Sequence, residues 1–379
     1  MQTVGKNKQL IHGMDISSMQ EVVRLGGKFY DKGEEKDLLE ILRSYGVNYI
    51  RLRLWQNPYG ADGMPYGAGG NDLETTVRMA QKVKAAEMKY LLDFHYSDFW
   101  TDPGKQIKPK AWKNYREEEL EVALYEYTKN VLLYLKREGC PPDMVQVGNE
   151  ITNGILWPEG SRSRFENLTH FINTGIRGVK KVDKNIPVML HLDQGNRQEL
   201  YREWFDNYEK CGGEEFEVIG LSYYPVWNGK IKGLVDNMNA LADRYGKEMI
   251  VVEVSQPFTM EDYADYEKLA PEERKGYAAK PANSKELEYP ATAEGQKAFM
   301  ENFLRALGEV KQGLGRGYFY WEPAWLPVAG SGWATKESLA YMGDPGPCGN
   351  EWANQGLFDY EGNALPALEA VKEFQLLSR

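Results

Sequence analysis

Two glutamates stand at the ends of short apolar segments, which is the pattern expected of paired catalytic carboxylates. Glu150 follows the apolar run that begins at Met144, and Glu253 ends the run that begins at Met249. Two carboxyl groups across a cleft can cleave a glycosidic bond, because one protonates the leaving oxygen while the other attacks or activates water. For either glutamate alone, a solvated loop residue or a helix N-cap partner is the ordinary alternative. Two in equivalent positions favour a catalytic pair.

Two arginines, Arg51 and Arg53, alternate with leucines in another apolar segment, so both lie on one face of a strand. A charge buried inside a protein is costly unless it is paired. We therefore expect Arg51 to lie beside a carboxylate and to keep that group ionised. For Arg53 the alternative is an outward side chain that reaches solvent between helices.

Polar side chains end two further segments. His95 follows an apolar run and can donate to a hydroxyl or a carboxylate, although a satisfied core histidine is the alternative. Ser222 and Tyr224 are two residues apart at the end of another strand pattern, so they share a face. All three are candidates for the rim of a cleft.

Tryptophans near the same segment ends suggest a carbohydrate ligand. Trp100 and Trp112 follow the segment of His95, and Trp321 ends the last apolar segment. An aromatic ring can cover the C–H face of a pyranose, so these side chains predict sugar contacts. For Trp321 a plug inside the protein is the alternative.

The segments that position these residues alternate between strand and helix patterns. Short apolar runs predict strands at Ile11–Asp15, Tyr49–Leu54, Tyr90–Phe94, Met144–Val147, Val188–Leu192, Val218–Leu221, Met249–Glu253 and Gly317–Trp321. Helical spacing lies between most of them, and Pro366 to Leu377 predicts a closing helix. The pattern predicts an α/β fold, a (β/α)8 TIM barrel with long βα loops. A doubly wound sheet is the alternative, but no Gly-rich phosphate turn follows the first strand.

Domain organisation follows from the loops. No Pro-, Gly- or Ser-rich linker divides the chain, so we expect a single catalytic domain over residues 1–379. The excess length falls after strands, at Trp55–Asp72, Trp100–Tyr115, Ser255–Pro290 and Glu322–Leu357. In a barrel these loops open on the face where active sites form.

Composition narrows the partners. Lys and Arg number 46 against 56 Asp and Glu, a net charge of −10. A chain this acidic lacks the positive surface that binds nucleic acid or anionic membrane, and it favours a neutral substrate. No stretch approaches the roughly 20 apolar residues of a membrane span. We expect a monomer.

The sequence carries little information on metal binding and on the cellular location of the protein. The three cysteines and four histidines are scattered without metal-ligand spacing, so no cofactor or metal is expected. The N-terminal sequence MQTVGKNKQL has no apolar core. We therefore expect a cytoplasmic protein, the alternative being a secreted one whose signal peptide has been removed.

Six sequence motifs resemble those of glycoside hydrolase family 53, the arabinogalactan endo-β-1,4-galactanases, and they occur in the same order as in that family. They are Gly13-Met-Asp-Ile-Ser-Ser, Asn48-Tyr-Ile-Arg-Leu-Arg-Leu-Trp, Asp93-Phe-His-Tyr-Ser-Asp-Phe-Trp, Gln146-Val-Gly-Asn-Glu-Ile-Thr-Asn, Gly220-Leu-Ser-Tyr-Tyr-Pro and Trp321-Glu-Pro-Ala-Trp. Any one motif is modest evidence, but this many in order is specific.

The resemblance implies a retaining barrel glycosidase in which Glu150 is the acid/base and Glu253 the nucleophile. It further implies that Asn149 holds the sugar 2-hydroxyl and that Arg51 and Tyr224 orient the nucleophile. A substrate contact is also expected from Asp15, which ends the first strand within one of the motifs. Retention predicts carboxyl groups about 5–5.5 Å apart.

One departure concerns calcium. Bacterial members often bind calcium in the loop after the seventh strand, through a run of Asp, Gly and His. Here that loop reads Met260-Glu-Asp-Tyr-Ala-Asp-Tyr-Glu and then Glu272-Glu-Arg-Lys, without the run. Its acids are typical of a solvated helix face, so calcium is possible by resemblance but is not predicted.

Three other functions remain open. Another retaining barrel glycosidase, such as a β-mannanase or a cellulase, would keep both glutamates and select a different hydroxyl pattern. A non-catalytic carbohydrate-binding barrel would use the aromatic residues and not the acids. A metal-dependent barrel hydrolase would be sensitive to chelators.

Overall fold

The barrel is built from eight parallel strands. A computed structural model describes residues 9–263 and 287–377, and its main sheet closes on itself in chain order. The strands are β1 (Ile11–Asp15), β2 (Tyr49–Leu54), β3 (Lys89–Phe94), β4 (Met144–Val147), β5 (Val188–Leu192), β6 (Val218–Tyr223), β7 (Glu248–Val254) and β8 (Gly315–Trp321). The predicted (β/α)8 barrel is confirmed, and β1 pairs with β8 to close it.

Helices cover the outside of the barrel and occupy some loops. They are α1 (Met19–Arg24), α2 (Leu38–Ser44), α3 (Leu73–Ala85), α4 (Glu117–Arg137), α5 (Phe165–Val182), α6 (Gln198–Lys210), α7 (Pro225–Asn228), α8 (Ile231–Tyr245), α9 (Ala293–Gly308), α10 (Lys336–Met342) and α11 (Ala367–Leu377). Two-residue strands also pair at Tyr30–Asp31 with Glu34–Glu35 and at Gly154–Ile155 with Gly160–Ser161.

Local sequence explains where these helices begin and which face they bury. Asp72 accepts a hydrogen bond from the Thr75 amide and so caps α3, a contact that satisfies a free N–H of the first turn. In α5, apolar residues recur at helical spacing, and Leu168, Ile172 and Val179 are fully buried. The helices thereby hold the strands and leave the loops after them to form the site.

Inside the barrel, the layer of side chains nearer the strand N-termini is apolar. It is one cluster of buried side chains, namely Tyr49, Leu91, Met144, Met189, Val218, Ile250, Val252 and Phe319. Gly13 of β1 is required there, because a Cβ atom would lie 2.3 Å from the Phe319 ring. We call these residues the lower layer.

Above the lower layer, the same strands contribute a second, polar layer of inward-facing side chains, because residues two apart on a strand share a face. Two residues beyond Tyr49, Leu91, Met144 and Met189 lie Arg51, Asp93, Gln146 and His191, all buried. We use the term upper layer for these four residues together with Asp15, Ser222 and Glu253. It faces the loops that follow the strands, at the end where barrel active sites form.

A β-bulge brings Glu253 into the upper layer. Leu221 of β6 pairs with Val251 of β7, but Ser222 pairs with Glu253, so Val252 is an extra residue. Because Ile250 and Val252 both belong to the lower layer, strict alternation would turn Glu253 to the outside. The bulge resets the alternation and aims the carboxylate inward, a common use of bulges near active sites.

The described residues form one barrel, while the prediction of a single domain over 1–379 includes residues 1–8, 264–286 and 378–379, which lie outside them. In the part of the chain that the structure describes, no helix combines the length and apolar character needed to cross a bilayer.

Candidate active site

Arg51 is the centre of the upper layer. Its Nη1 donates to Asp15 Oδ2 and to Glu253 Oε1, each at 2.9 Å. Its Nη2 donates to Asp93 Oδ2 and to Asn149 Oδ1, each at 2.8 Å. The side chain is only 1% exposed. One guanidinium therefore fixes the orientation of Glu253 and Asn149 at the same time.

Glu253 is held at both carboxylate oxygens. Arg51 donates to Oε1, and the Tyr224 hydroxyl donates to Oε2 at 2.7 Å. Burial raises the pKa of Glu253, while the charge of Arg51 and the hydrogen bond from Tyr224 oppose that shift. The carboxylate is thus fixed in orientation and has a cation beside it.

Glu150 is reached by a sharp turn after β4. Gly148 adopts φ of 80° and Glu150 itself φ of 47°, in the left-handed region that non-glycine residues rarely occupy. Ser222 Oγ donates to Glu150 Oε1 at 2.7 Å. Burial, followed by the negative charges of Glu253 and Asp193, raises the pKa of Glu150 well above its ordinary value. Of the two carboxyl groups, Glu253 therefore ionises first.

Asn149 has its amide fixed from both ends. Its Oδ1 accepts from Arg51, and its Nδ2 donates to the Thr101 carbonyl at 2.9 Å. Gln106 donates to the Asn149 main-chain carbonyl at 2.9 Å. Because an amide nitrogen carries two protons, one remains for a ligand in the pocket.

These groups line one cavity of about 480 Å³ at the mouth of the barrel. Its aromatic wall consists of Trp100, Trp227, Trp321, Trp325, Trp333 and Trp352. The Trp321 and Trp352 rings meet edge to face at 4.5 Å, and Trp227 is 57% exposed. A pocket with aromatic walls and a few fixed polar groups suits a neutral ligand with apolar faces.

Most of the sequence-predicted site residues meet in this cavity. Its lining includes Glu150, Glu253, Asn149, Arg51, His95, Tyr224, Trp321 and Trp100. Asp15 is the exception, because its side chain is fully buried and is not part of the lining. It accepts from Arg51 and from the Ser17 hydroxyl, so the expected substrate contact is corrected to a counter-ion beneath the site.

His95 lines the cavity with both ring nitrogens engaged by protein atoms. Its Nδ1 faces the Thr101 amide at 3.2 Å, and its Nε2 lies 3.1 Å from Asp93 Oδ2. Burial lowers the pKa of His95, so the ring is neutral and donates from Nε2 to the carboxylate. Of the two expected acceptors, the structure supplies the carboxylate.

Arg53 is not the outward arginine that the sequence left open. It is 1% exposed, bonds to Glu322 and donates to the Ala68 carbonyl at 2.7 Å. Its guanidinium also stacks 4.3 Å from the centre of the Trp100 ring. Arg53 therefore packs against Trp100 and helps to hold this wall residue in position.

Trp112 is a second correction among the aromatic predictions. It is 4% exposed and packs edge to face against Tyr127 of α4, at 5.7 Å between ring centres. It does not line the cavity. Its ring fills the space between the loop after β3 and α4, so the expected sugar contact is wrong.

Sequence reasoning missed several members of the site. Asp93, Gln146 and His191 are polar residues inside apolar strands, and Asp93 and Gln146 pair directly across β3 and β4. Polar residues at paired positions of two neighbouring apolar strands were the sequence signal that could have identified them. Trp227 and Trp352 carry no such signal, since their position depends on the paths of the loops.

The described residues bear on metal binding only in part. Among the described residues, no group of three or more His, Cys, Asp or Glu side chains could hold a metal ion. Much of the loop considered for calcium, including Glu272 and its neighbours, lies outside the described residues.

The chain is similar to known proteins along almost its entire length. Residues 11–371 match the profile described as "Glycosyl hydrolase family 53". The "Endo-beta-1,4-galactanase" of Bacillus subtilis (strain 168) is 35% identical, over 97% of this chain and 86% of that protein. The "Arabinogalactan endo-beta-1,4-galactanase" of Cellvibrio japonicus (strain Ueda107) is 33% identical, over 96% and 91%.

A solved structure gives the same result. The "Ignisphaera aggregans GH53 catalytic domain" superposes with a TM-score of 0.87 at 38% identity, covering 97% of both chains. Identity at this level over nearly complete chains extends the likeness from the barrel to the family. The resemblance seen in the sequence motifs is therefore confirmed, and the chain belongs to glycosyl hydrolase family 53.

Proposed function

We propose that this protein is an endo-β-1,4-galactanase that hydrolyses pectic galactan, or oligosaccharides derived from it, with retention of configuration. The observation that carries the proposal is that Glu253, fixed by Arg51 and Tyr224, opens on the same tryptophan-walled cavity as Glu150. Relatives at 33% and 35% identity bear galactanase names, which supports the choice of polymer.

In the first step Glu253 attacks the anomeric carbon while Glu150 protonates the leaving oxygen. The raised pKa of Glu150 supports the acid role, because burial and the charge of Glu253 both disfavour its ionisation. Arg51 supports the nucleophile role, because it keeps a negative charge on Glu253. The products are a galactosyl-enzyme ester and a shortened sugar chain with a free hydroxyl group.

In the second step Glu150, now ionised, removes a proton from water. As that proton passes to Glu150, the water oxygen attacks the anomeric carbon and Glu253 leaves as a carboxylate, so Glu150 is protonated again. Two inversions at one carbon give net retention. Asn149 supports both steps, since its fixed amide has one proton free for the sugar 2-hydroxyl.

The substrate class follows from charge and from the cavity wall. The protein carries a net charge of −10, which disfavours an anionic polymer and is compatible with neutral galactan. Galactose has an axial 4-hydroxyl, so one face of the ring presents mainly C–H groups. The tryptophans of the cavity are suited to cover that face.

The proposal is tested by a time course on debranched β-1,4-galactan that records new reducing ends and product sizes. We expect an early release of mixed oligomers by the wild type and none by Glu253→Ala. A parallel panel of β-mannan, cellulose and xylan tests the polymer. If the protein prefers any of these polymers to galactan, it is still a barrel glycosidase, but the proposed galactanase activity is wrong.

The other functions have their own signatures. A carbohydrate-binding barrel would retain all its function in Glu150→Gln, and a metal-dependent hydrolase would lose activity with a chelator. Independence from calcium, a monomeric state and a cytoplasmic location remain predictions. Chelator treatment, light scattering and cell fractionation test them in turn.

A further inference from the structure

A short hydrogen-bonded chain leads from Glu150 away from the cavity. Ser222 Oγ lies 2.7 Å from Glu150 Oε1 and 2.8 Å from His191 Nε2. Ser222 is 1% exposed and His191 is fully buried, so water does not compete for these contacts. The steps of the reaction described above do not use either residue.

His191 enters this chain as a neutral ring. Burial, followed by the charge of Arg51, holds the pKa of His191 well below its usual range. Its Nδ1 faces the Glu150 main-chain N–H at 3.4 Å, a group that can only donate. Gln146 Nε2 lies 3.2 Å from the same atom, but its two protons have shorter contacts at Asp93 Oδ1 and the Gly148 carbonyl. Asn149 Oδ1, 3.0 Å from Nδ1, accepts instead from Arg51 at 2.8 Å. Because the Glu150 N–H needs an acceptor at Nδ1, we assign the single ring proton to Nε2.

This tautomer fixes the direction of the chain. His191 donates from Nε2 to the oxygen of Ser222, and a hydroxyl has only one proton to donate in turn. Ser222 therefore donates to Glu150 Oε1, which is occupied as an acceptor. Glu150 Oε2 has no hydrogen-bond partner among the described residues, and Glu150 lines the cavity.

We propose that Ser222 and His191 are positioning residues that reserve Oε1 of Glu150 as an acceptor and thereby fix the catalytic proton on Oε2. The inference rests on the proposed function, because it assigns Glu150 the acid role. When Glu150 gives up its proton, the same Ser222 hydroxyl stabilises the carboxylate that must act as base. The arrangement serves both steps without any change in the imidazole.

Other charged groups face the two ends of the chain. Glu253, Asp193 and Asp102 act on Glu150 and raise its pKa, whereas the Ser222 hydrogen bond lowers it. At the other end, burial comes first and the charge of Arg51 second in disfavouring protonation of the His191 imidazole, and the titratable ring of His95 acts in the same direction. Removal of the Ser222 hydroxyl should therefore raise the pKa of Glu150 further. The alkaline limb of the kcat/KM profile should then move to higher pH.

The test compares Ser222→Ala with Ser222→Thr, which keeps a hydroxyl, on two substrates. One is β-1,4-galactotetraose, whose leaving group needs protonation. The other is 2,4-dinitrophenyl β-galactobioside, whose leaving group does not. We expect Ser222→Ala to lower kcat/KM about 10- to 150-fold on galactotetraose, the range for one hydrogen bond to a charged group. On the aryl substrate the loss should be below about 3-fold, because no acid is required.

Ser222→Thr should recover most of the activity, and thermal unfolding of both variants shows that they are folded. His191→Ala should reproduce the substrate dependence of Ser222→Ala. Equal losses on both substrates, or an unmoved alkaline limb, would overturn the positioning role and leave the galactanase proposal intact. A wild type that cleaves neither galactoside would instead overturn the proposed function and, with it, this inference.

Discussion

The lower and upper layers of the barrel interior come from the same strands and differ completely in character. Leu91 and Asp93 are two residues apart on β3, and Met189 and His191 are two apart on β5. The lower residue of each pair packs in an apolar cluster, and the upper one joins the hydrogen-bonded network of the site. Both layers are buried, so burial alone does not separate them.

The difference separates stability from function within one barrel. Apolar side chains of the lower layer stabilise the fold by leaving water, at about 25 cal/mol per Å². The upper layer places the carboxylates Asp15, Asp93 and Glu253 around Arg51, an arrangement whose desolvation cost can exceed its Coulombic gain. Such a network is retained where it performs chemistry. Substitutions in each layer should therefore affect different measurements.

The largest expected effect is the loss of activity in Glu253→Gln. Removal of the nucleophile should lower kcat on galactan by at least about 10⁴-fold. Stability should stay the same or rise, because the change removes one of three carboxylates clustered on a single cation. Initial rates and thermal unfolding measured on the same preparation check both parts. A fall in Tm of several degrees would break the separation between the layers.

Arg51→Met should damage both function and stability. It leaves the buried carboxylates without their cation, which costs about 3–5 kcal/mol of unfolding free energy. The pKa of Glu253 rises when Arg51 is lost, so the nucleophile is protonated over a wider range. The acid limb of kcat/KM should therefore move to higher pH.

Arg51→Lys serves as the matched control in that experiment. It keeps the charge but loses the planar fork that bonds four partners, so most of the stability and the acid limb should be retained while activity falls. An acid limb that stays in place in Arg51→Met would contradict the assigned role of Arg51.

Leu91→Ala is the complementary change in the lower layer. Truncation of a fully buried leucine should cost about 2–5 kcal/mol of stability, measured by denaturant unfolding. Below the transition, kcat/KM and its pH profile should match the wild type within about 2-fold. A large loss of activity at full folding would show that the lower layer also positions the chemistry.

Tyr224→Phe is expected to have the smallest effect of these variants when each effect is expressed as a free energy. The ring still packs against Trp227 and Trp352, and only the hydroxyl that donates to Glu253 is lost. A hydrogen bond to a charged group contributes about 1.5–3 kcal/mol, which predicts a 10- to 150-fold fall in kcat/KM. An unchanged kcat with a raised KM for oligosaccharides would assign Tyr224 to substrate binding instead.

The sequence predicted the barrel well, because apolar strand patterns depend on local alternation. β1, β2, β4 and β5 begin and end where the apolar runs do. β6 was predicted to end at Leu221 and reaches Tyr223, since backbone pairing continues beyond the apolar run. The inward position of Glu253 depends on the β-bulge, which no residue pattern in β7 reveals.

For individual residues, the sequence did not predict how deep a side chain lies in the barrel or which path a loop takes. Spacing shows which face a side chain occupies, and Arg51, Ser222 and Tyr224 all line the cavity, as expected from their positions in the strands. Spacing does not show how deep a residue lies, and Asp15 is therefore beneath the cavity and not in it. Trp112 was misplaced for a related reason, because a loop residue packs wherever the loop path leaves room.

Azide rescue of the two glutamate variants tests the central claim, the division of roles between Glu253 and Glu150, most directly. With an activated aryl β-galactobioside, Glu253→Ala in azide should give the α-glycosyl azide, because azide attacks the substrate directly with inversion. Glu150→Ala should give the β-glycosyl azide, because azide attacks the intermediate on Glu253. The reverse assignment of products, or rescue of neither variant, would contradict the account.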